Sequence, residues 1–592
     1  MRDRLLVRHF LWRFLEHDFV SPHADRHVVL SALGGTLVAV SLFTTVLTAI
    51  PYQFFPDMPP GVVSLRSLDD CFLFVSASML VMALVAVAQW DALALDARDT
   101  AVLGVLPIPR TVIVRAKFAA IVILAFGVAL AWNLAPTLLR FAAVPSRLGV
   151  SLRGVLTLML ARGVATCAAG AFGFLGVLGL REGMSAILGA HRFQRTSSAM
   201  QAALVVALAT ALLILPGAYA NGMARSRLAR GEVLAQALPP LWFVGLHERL
   251  AGSVVDALPR THPSWFPPVL VGAERDATDR YRRALLHVRE LAATGIAALL
   301  VAGIITTAAR AWNSRRLPMP IVRRPHKTGA ADRGRQWIVA HVIARTSLGQ
   351  AGFWFTLQTL SRQASHRVAL ASSVSVGLSL MLIAARGRGL ASDGGVASVP
   401  VALLAGQSLL LACVLVGFRH AVRLPAQLRA STTFSLAWPG RLTPYLSGVK
   451  RAGWIALVLP ALGSLLVWHA IALGPRLAAL HLGVGLAVSA LLMEALFLRH
   501  RLVPFASGYI PGADLGVRGA VFAAALFAAS FGVAWVERLA LATTAGYIAL
   551  IATMVGLSAG LAAFDRASSR PATPLELDEL LPLPTQRLDL AS

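Results

Sequence analysis

The chain has 592 residues, of which 57% are hydrophobic and 14% charged, with a formal net charge of +26 and a mean hydropathy of +0.70. That composition excludes a soluble globular protein. The basic excess is almost all arginine, with only Lys117, Lys327 and Lys450; it falls between hydrophobic runs, where it holds loops on the cytoplasmic face of an anionic membrane and does not signal nucleic acid.

Residues 1–27 contain an amphipathic stretch, Leu5 to Val20, that sets Leu6, Phe10 and Phe14 among Arg4, Arg8 and Arg13. It is expected to lie in the headgroup plane as an interfacial helix. The apolar run from Val28 is followed by no small-residue cleavage site and reads as a retained span. A crossing needs roughly 20 apolar residues. Twelve segments qualify: 28–50, 72–90, 118–138, 156–180, 199–220 and 291–310 in a first unit (28–310), and 367–385, 400–418, 452–473, 477–498, 518–536 and 541–563 in a second (367–564). The expected fold is an all-α polytopic membrane protein with twelve transmembrane helices in two parallel six-helix repeats, plus interfacial helices.

The repeat is written in the sequence. Leu106-Pro107-Ile108-Pro109-Arg110 with Lys117, leading to Trp132-Asn133, is answered by Ala437-Trp438-Pro439-Gly440-Arg441 with Lys450, leading to Trp468-His469. Upstream, Ala24-Asp25-Arg26-His27-Val28-Val29-Leu30 is answered by Ala364-Ser365-His366-Arg367-Val368-Ala369-Leu370. Such duplication is how many transporters are built.

Loop 51–70 carries Asp57, Asp69 and Asp70 against Arg66, and Asp69-Asp70 reads as a solvated loop end. Loop 139–154, with Arg140, Arg147 and Arg153, runs against the charge asymmetry of the other loops. The long outer loop 221–288 contains Leu238 to Leu246, apolar but too short to cross, and this run is expected to dip into the outer leaflet or lie on its surface. The connector 311–366 is basic: over 310–367 there are eleven Lys or Arg against Asp332 alone, and over 419–451 six against none. A second interfacial helix, Trp337 to Leu360, precedes the seventh span, with Trp354 between Phe353 and Phe355. The tail 565–592, rich in proline and leucine with Glu576, Asp578 and Glu579, is expected to be disordered. Both termini are therefore expected in the cytoplasm of a bacterial inner membrane.

Three cysteines, Cys71, Cys167 and Cys413, are too few and too scattered for a disulfide framework or a thiolate metal site. No glycine precedes a lysine, so there is no Walker phosphate cradle. His247-Glu248 lacks the second histidine of a zinc-protease helix. No catalytic, cofactor-binding or metal residue is therefore assigned. Arg162 is expected to snorkel outward. Glu494, one turn from Arg499, His500 and Arg501, is expected to snorkel or pair locally, with a coupling role as the alternative. Asn133 and His469 hold equivalent places in the two repeats; each is read as a helix–helix hydrogen-bonding residue or, with Glu494, as a polar group of a translocation path.

Segment 91–117 carries Asp91, Asp96, Arg98, Asp99, Leu103, Pro107, Arg110 and then Lys117. It is amphipathic, charged at its start and stopped by two prolines, which predicts a short helix and a rigid turn. This segment resembles the cytoplasmic coupling region of ATP-binding cassette export permeases of the second membrane-domain type, in which a leucine-rich helix, a proline and a lysine ten residues on join spans two and three. Pro107 and Lys117 keep that spacing, whereas Arg98-Asp99 and Ala101 stand where the family has Gly-Thr and a glutamate. The resemblance implies ATP-driven alternating access, with two separate ATPase subunits pressing on Asp96, Arg98, Asp99, Leu103, Pro107, Arg110 and Lys117 in one half and on Trp438, Pro439, Arg441 and Lys450 in the other. ATP and magnesium would then sit on the partner subunits and no cofactor on this chain.

Two other classes compete. A twelve-span ion-coupled carrier normally bears a glycine-flanked Asp-Arg motif between spans two and three, where this chain has Leu95-Asp96-Ala97-Arg98-Asp99. A polytopic lipid-linked glycosyltransferase would use Asp69-Asp70 in its first outer loop.

Overall fold

The computed structural model describes residues 2–15, 26–54, 60–90, 108–139, 151–222, 236–256, 268–315, 337, 339–385, 399–426, 441–500, 503–505 and 517–568. Every regular element among them is helical. The chain divides into two compact units: Met1–Ser197 with Ala211–Ile321, and Ser198–Thr210 with Val322–Ser592.

The helices of the first stretch of chain are α1 (Arg2–Leu15), α2 (Arg26–Phe54), α3 (Pro60–Ala88), α4 (Arg110–Leu138), α5 (Leu152–Ala220), α6 (Pro239–Asp256) and α7 (Pro268–Arg315). Proline opens α3, α6 and α7, where its missing N–H costs no helical hydrogen bond. Ser151 caps α5 by accepting from the Gly154 amide at 3.3 Å. Helix α5 runs for 69 residues but breaks direction at Gly189 (φ 73°, ψ 160°), a backbone that only glycine adopts without strain. It thereby supplies two spans, Leu152–Gly189 and Thr196–Ala220.

Helix α3 is the axis of the first unit, packed on α4, α6 and α7, and 72% of its span is buried. Small residues set its contacts, as in most membrane bundles: a Cβ on Gly173 of α5 would fall 2.3 Å from the Met79 carbonyl oxygen. The apolar run expected at the outer leaflet is the start of α6. It is not a surface helix: Leu241, Phe243 and Val244 are fully buried, and a Cβ on Gly245 would meet the Val288 carbonyl of α7 at 2.2 Å.

The second unit contains a π-helical turn (Val339–Ile343), α8 (Ser347–Arg362), α9 (Ala364–Ala385), α10 (Val401–Arg423), α11 (Leu442–Gly453), a second π-helical turn (Trp454–Val458), α12 (Leu459–Leu473), α13 (Pro475–Leu496), α14 (Val517–Ala540) and α15 (Thr544–Ser568). Thr346 caps α8 through the Gly349 amide at 3.1 Å, and Gly474 (φ 80°) breaks α12 from α13. Helix α10 is the axis here, packed on α9, α13 and α14 and again 72% buried along its span.

One arrangement recurs. In the first unit α1 packs on α4; in the second α8 packs on α11. The second contact is tight, since a Cβ on Gly448 would fall 2.0 Å from the Gly349 carbonyl oxygen. Among the described residues twelve helical segments are long and apolar enough to cross a membrane, six before residue 316 and six after residue 336. The chain is a multi-pass helical membrane protein.

Candidate functional site

Segments that were expected to meet a partner come first. Asp96, Arg98, Asp99, Leu103, Pro107, Trp438 and Pro439 lie outside the described residues. Arg110 opens α4 directly after Pro109. Arg441 precedes α11 and is exposed. Lys117, by contrast, is only 4% exposed and its ammonium lies 5.7 Å from the Phe10 ring centre, so α1 covers it. Lys450 donates to Glu494 at 2.7 Å and stands 6.0 Å from the Phe497 ring centre. Glu494 is thus locally paired, with α11 and not with the Arg499 cluster. The same end of the unit is strongly cationic: burial and then Arg419, Arg423 and Lys450 push the His500 imidazole down to about 4.

Asn133 is a clasp between helices. Its amide donates to Ser78 Oγ at 3.0 Å and to the Ala129 carbonyl at 2.9 Å. Ser78 in turn donates to the Thr166 carbonyl at 2.9 Å, which ties α4 to α3 and α3 to α5. The hydrogen-bonding reading of Asn133 therefore describes its contacts. His469 holds the matching sequence position in an unlike setting, described below.

Two expectations are corrected. Asp69 and Asp70 are not a solvated loop end: they are 5% and 0% exposed, because α3 begins at Pro60 and carries both into the unit. The Asp70 carboxylate accepts from the Tyr52 hydroxyl on one oxygen and from the Tyr219 hydroxyl on the other, at 2.5 Å. Arg162 does not snorkel: it is 2% exposed, and its guanidinium carbon lies 5.3 Å from the Phe74 ring centre. Cation–π contact inside the unit offers it an alternative to the headgroup layer.

The region around Asp70 holds more chemistry than the sequence reading found. Cys71 is fully buried, and His247 and Glu248 of α6 are 5% and 3% exposed. His247 Nδ1 meets Glu248 Oε1 at 3.0 Å, and Cys71 lies beside the same imidazole. Burial alone would lower this imidazole, but Cys71 and Glu248 outweigh it and push His247 up to about 10. Near the far end of the Leu152–Gly189 span, Arg181 pairs with Glu182 at 2.7 Å, and Asn313 donates to Glu182 Oε2 at 2.7 Å.

The second unit carries a buried polar cluster within its spans. His481 of α13 and Glu537 of α14 are both fully buried, with Nδ1 and Oε1 2.6 Å apart. His469 of α12, also fully buried, sets its ring against His481 edge to face, 4.7 Å between centres. Gln407 of α10 donates to the His481 carbonyl oxygen at 2.7 Å. The Gln407 amide lies over Gly485, where a Cβ would stand 2.5 Å from its nitrogen. Of this group the sequence reading held only His469. Glu537 lies one residue beyond the expected span 518–536, but α14 continues to Ala540 and draws it inward.

Among the described residues no group of three His, Cys, Asp or Glu is disposed to hold a metal ion. Against protein-family models, curated proteins and solved structures alike, the chain shows no match.

Proposed function

We propose that this chain is the membrane permease subunit of an ATP-driven exporter, with the ATPase on separate subunits. The observation that carries the reading is the recurrence of one joint: in each unit the helix preceding the first span packs on the helix that starts just after a coupling segment, α1 on α4 and α8 on α11. Segment 91–110 feeds α4 at Arg110, and segment 425–441 feeds α11 at Leu442. A push on either segment would be delivered to the start of a rigid span. The arginine asymmetry supports a bacterial inner membrane with both termini in the cytoplasm. The absence of a Gly-Lys pair from these 592 residues supports a P-loop motor on a separate subunit.

The test is affinity purification of the full chain from its native membrane, followed by export assays in vesicles. The expected result is a co-purifying ATPase whose Walker-lysine variant abolishes export while an uncoupler leaves it intact. Export by the isolated chain in liposomes, driven by a proton or sodium gradient alone, overturns the reading. That outcome would favour a second one, a twelve-span ion-coupled carrier, for which the buried His481–Glu537 pair is the specific support, since ionisable groups at membrane depth are costly enough to signal function. The glycosyltransferase reading requires a carboxylate open to substrate, and Asp70 has a tyrosine hydroxyl on each oxygen.

A further inference from the structure

We infer that His469, His481 and Glu537 form a proton-binding site inside the second unit. The inference stands apart from the ATP-driven reading, because it concerns a group of atoms and not the source of energy.

Geometry supplies the first argument. Nδ1 of His481 and Oε1 of Glu537, 2.6 Å apart, must have a proton between them, since two bare lone pairs would repel at that distance. With one proton there and His481 otherwise neutral, the pair carries a net charge of −1. With one more it is neutral, as imidazolium and carboxylate or as imidazole and carboxylic acid. The pair therefore changes charge by taking up or releasing a single proton.

Unused capacity supplies the second. Glu537 Oε2, His481 Nε2, both ring nitrogens of His469 and Gln407 Oε1 have no hydrogen-bond partner among the described residues. Three of the four side chains are fully buried imidazoles or carboxylates. Leaving so many polar atoms unsatisfied at one place costs more than an apolar core would. A structural clasp would be closed, as Asn133 and Ser78 are on their donor side; this cluster is open at five atoms.

Surroundings supply the third. The groups that face the pair come from three packed helices: Gln407 from α10, His469 from α12, and the Tyr547 phenol from α15, which donates to the Leu480 carbonyl at 3.2 Å. The site thus lacks a fixed lysine or arginine counter-charge among these neighbours, and the group in contact with the Glu537 carboxylate is the His481 imidazole. His469, edge-on to His481, is placed to receive or pass the proton after a small rotation.

Two measurements on the full-length chain in detergent test this. The first is infrared difference spectroscopy between mildly alkaline and mildly acidic buffer. A pH-dependent band is expected in the wild type, a protonated-carboxyl stretch or an imidazolium ring mode with a shifted carboxylate stretch, retained in Glu494→Gln, lost in Glu537→Gln and shifted in His481→Asn. Persistence of the band in Glu537→Gln overturns the proposal. The second leaves the cluster intact and so survives any folding defect of those variants. Trp468 lies 5.0 Å from His469, centre to centre, so the fluorescence difference between wild type and Trp468→Phe is expected to show a quenching step on acidification. A difference trace that stays flat across the same range overturns the proposal as well.

Discussion

A carboxylate buried between two phenols is stabilised only while both hydrogen bonds are made. Replacing Tyr52 or Tyr219 by phenylalanine removes one hydrogen bond to the buried Asp70 carboxylate, at a cost of about 1–3 kcal/mol. Each single variant is expected to lower the thermal midpoint in detergent, and the double variant by less than the sum, because the carboxyl can then take up a proton. A fluorescence-based melting series checks this. His247 gives a pH signature of opposite sense. Its folded-state pKa is raised to about 10 by Cys71 and Glu248 against the burial that opposes them. The stabilisation is therefore fully present below the unfolded value of about 6.5 and is lost as pH rises through 10. Melting curves of the wild type should fall across that window, and those of His247→Gln should fall less.

At the level of elements, the spans were legible because a hydrocarbon crossing leaves a long apolar window that little else in a chain imitates. What escaped is what such a window cannot register. A hydropathy run stops at the first charge, so Asp69 and Asp70 before residue 72, and Glu537 after residue 536, were read as loop although α3 and α14 carry them inside. Arg162 escaped for a related reason: a long arginine near the start of a span reaches water by default, whereas here its guanidinium lies over the Phe74 ring, distant in sequence. Close backbone approach is also invisible before folding. Gly448→Ala would bring a Cβ to 2.0 Å from the Gly349 carbonyl, forcing α8 off α11 at a cost of about 1–3 kcal/mol. Gly532→Ala, with nothing within 4 Å of its Cβ, is the control. The first is expected to unfold earlier and to lose an engineered disulfide between α8 and α11, and the second to match the wild type in both.

Across the whole molecule, the repeat seen in the sequence is paralleled by an axis helix and a covered joint in each unit, yet the buried chemistry differs. One unit closes a carboxylate with phenols and the other sets a carboxylate against imidazoles. At Asn133 and His469 equal places in the two repeats have unequal neighbours, Ser78 in one case and His481 in the other.

Residues Ser198–Thr210 belong with the second unit, although the chain on both sides of them belongs with the first. The polypeptide therefore lends thirteen consecutive positions to a body whose remaining sequence begins more than a hundred residues later. Severing the backbone within 316–336 would leave the C-terminal fragment short of that borrowed stretch of helix. Such a fragment is expected to be degraded when produced alone and rescued when the N-terminal fragment is produced beside it, as read by pulse-chase. A rescue that tolerates deletion of 198–210 would show the loan to be dispensable.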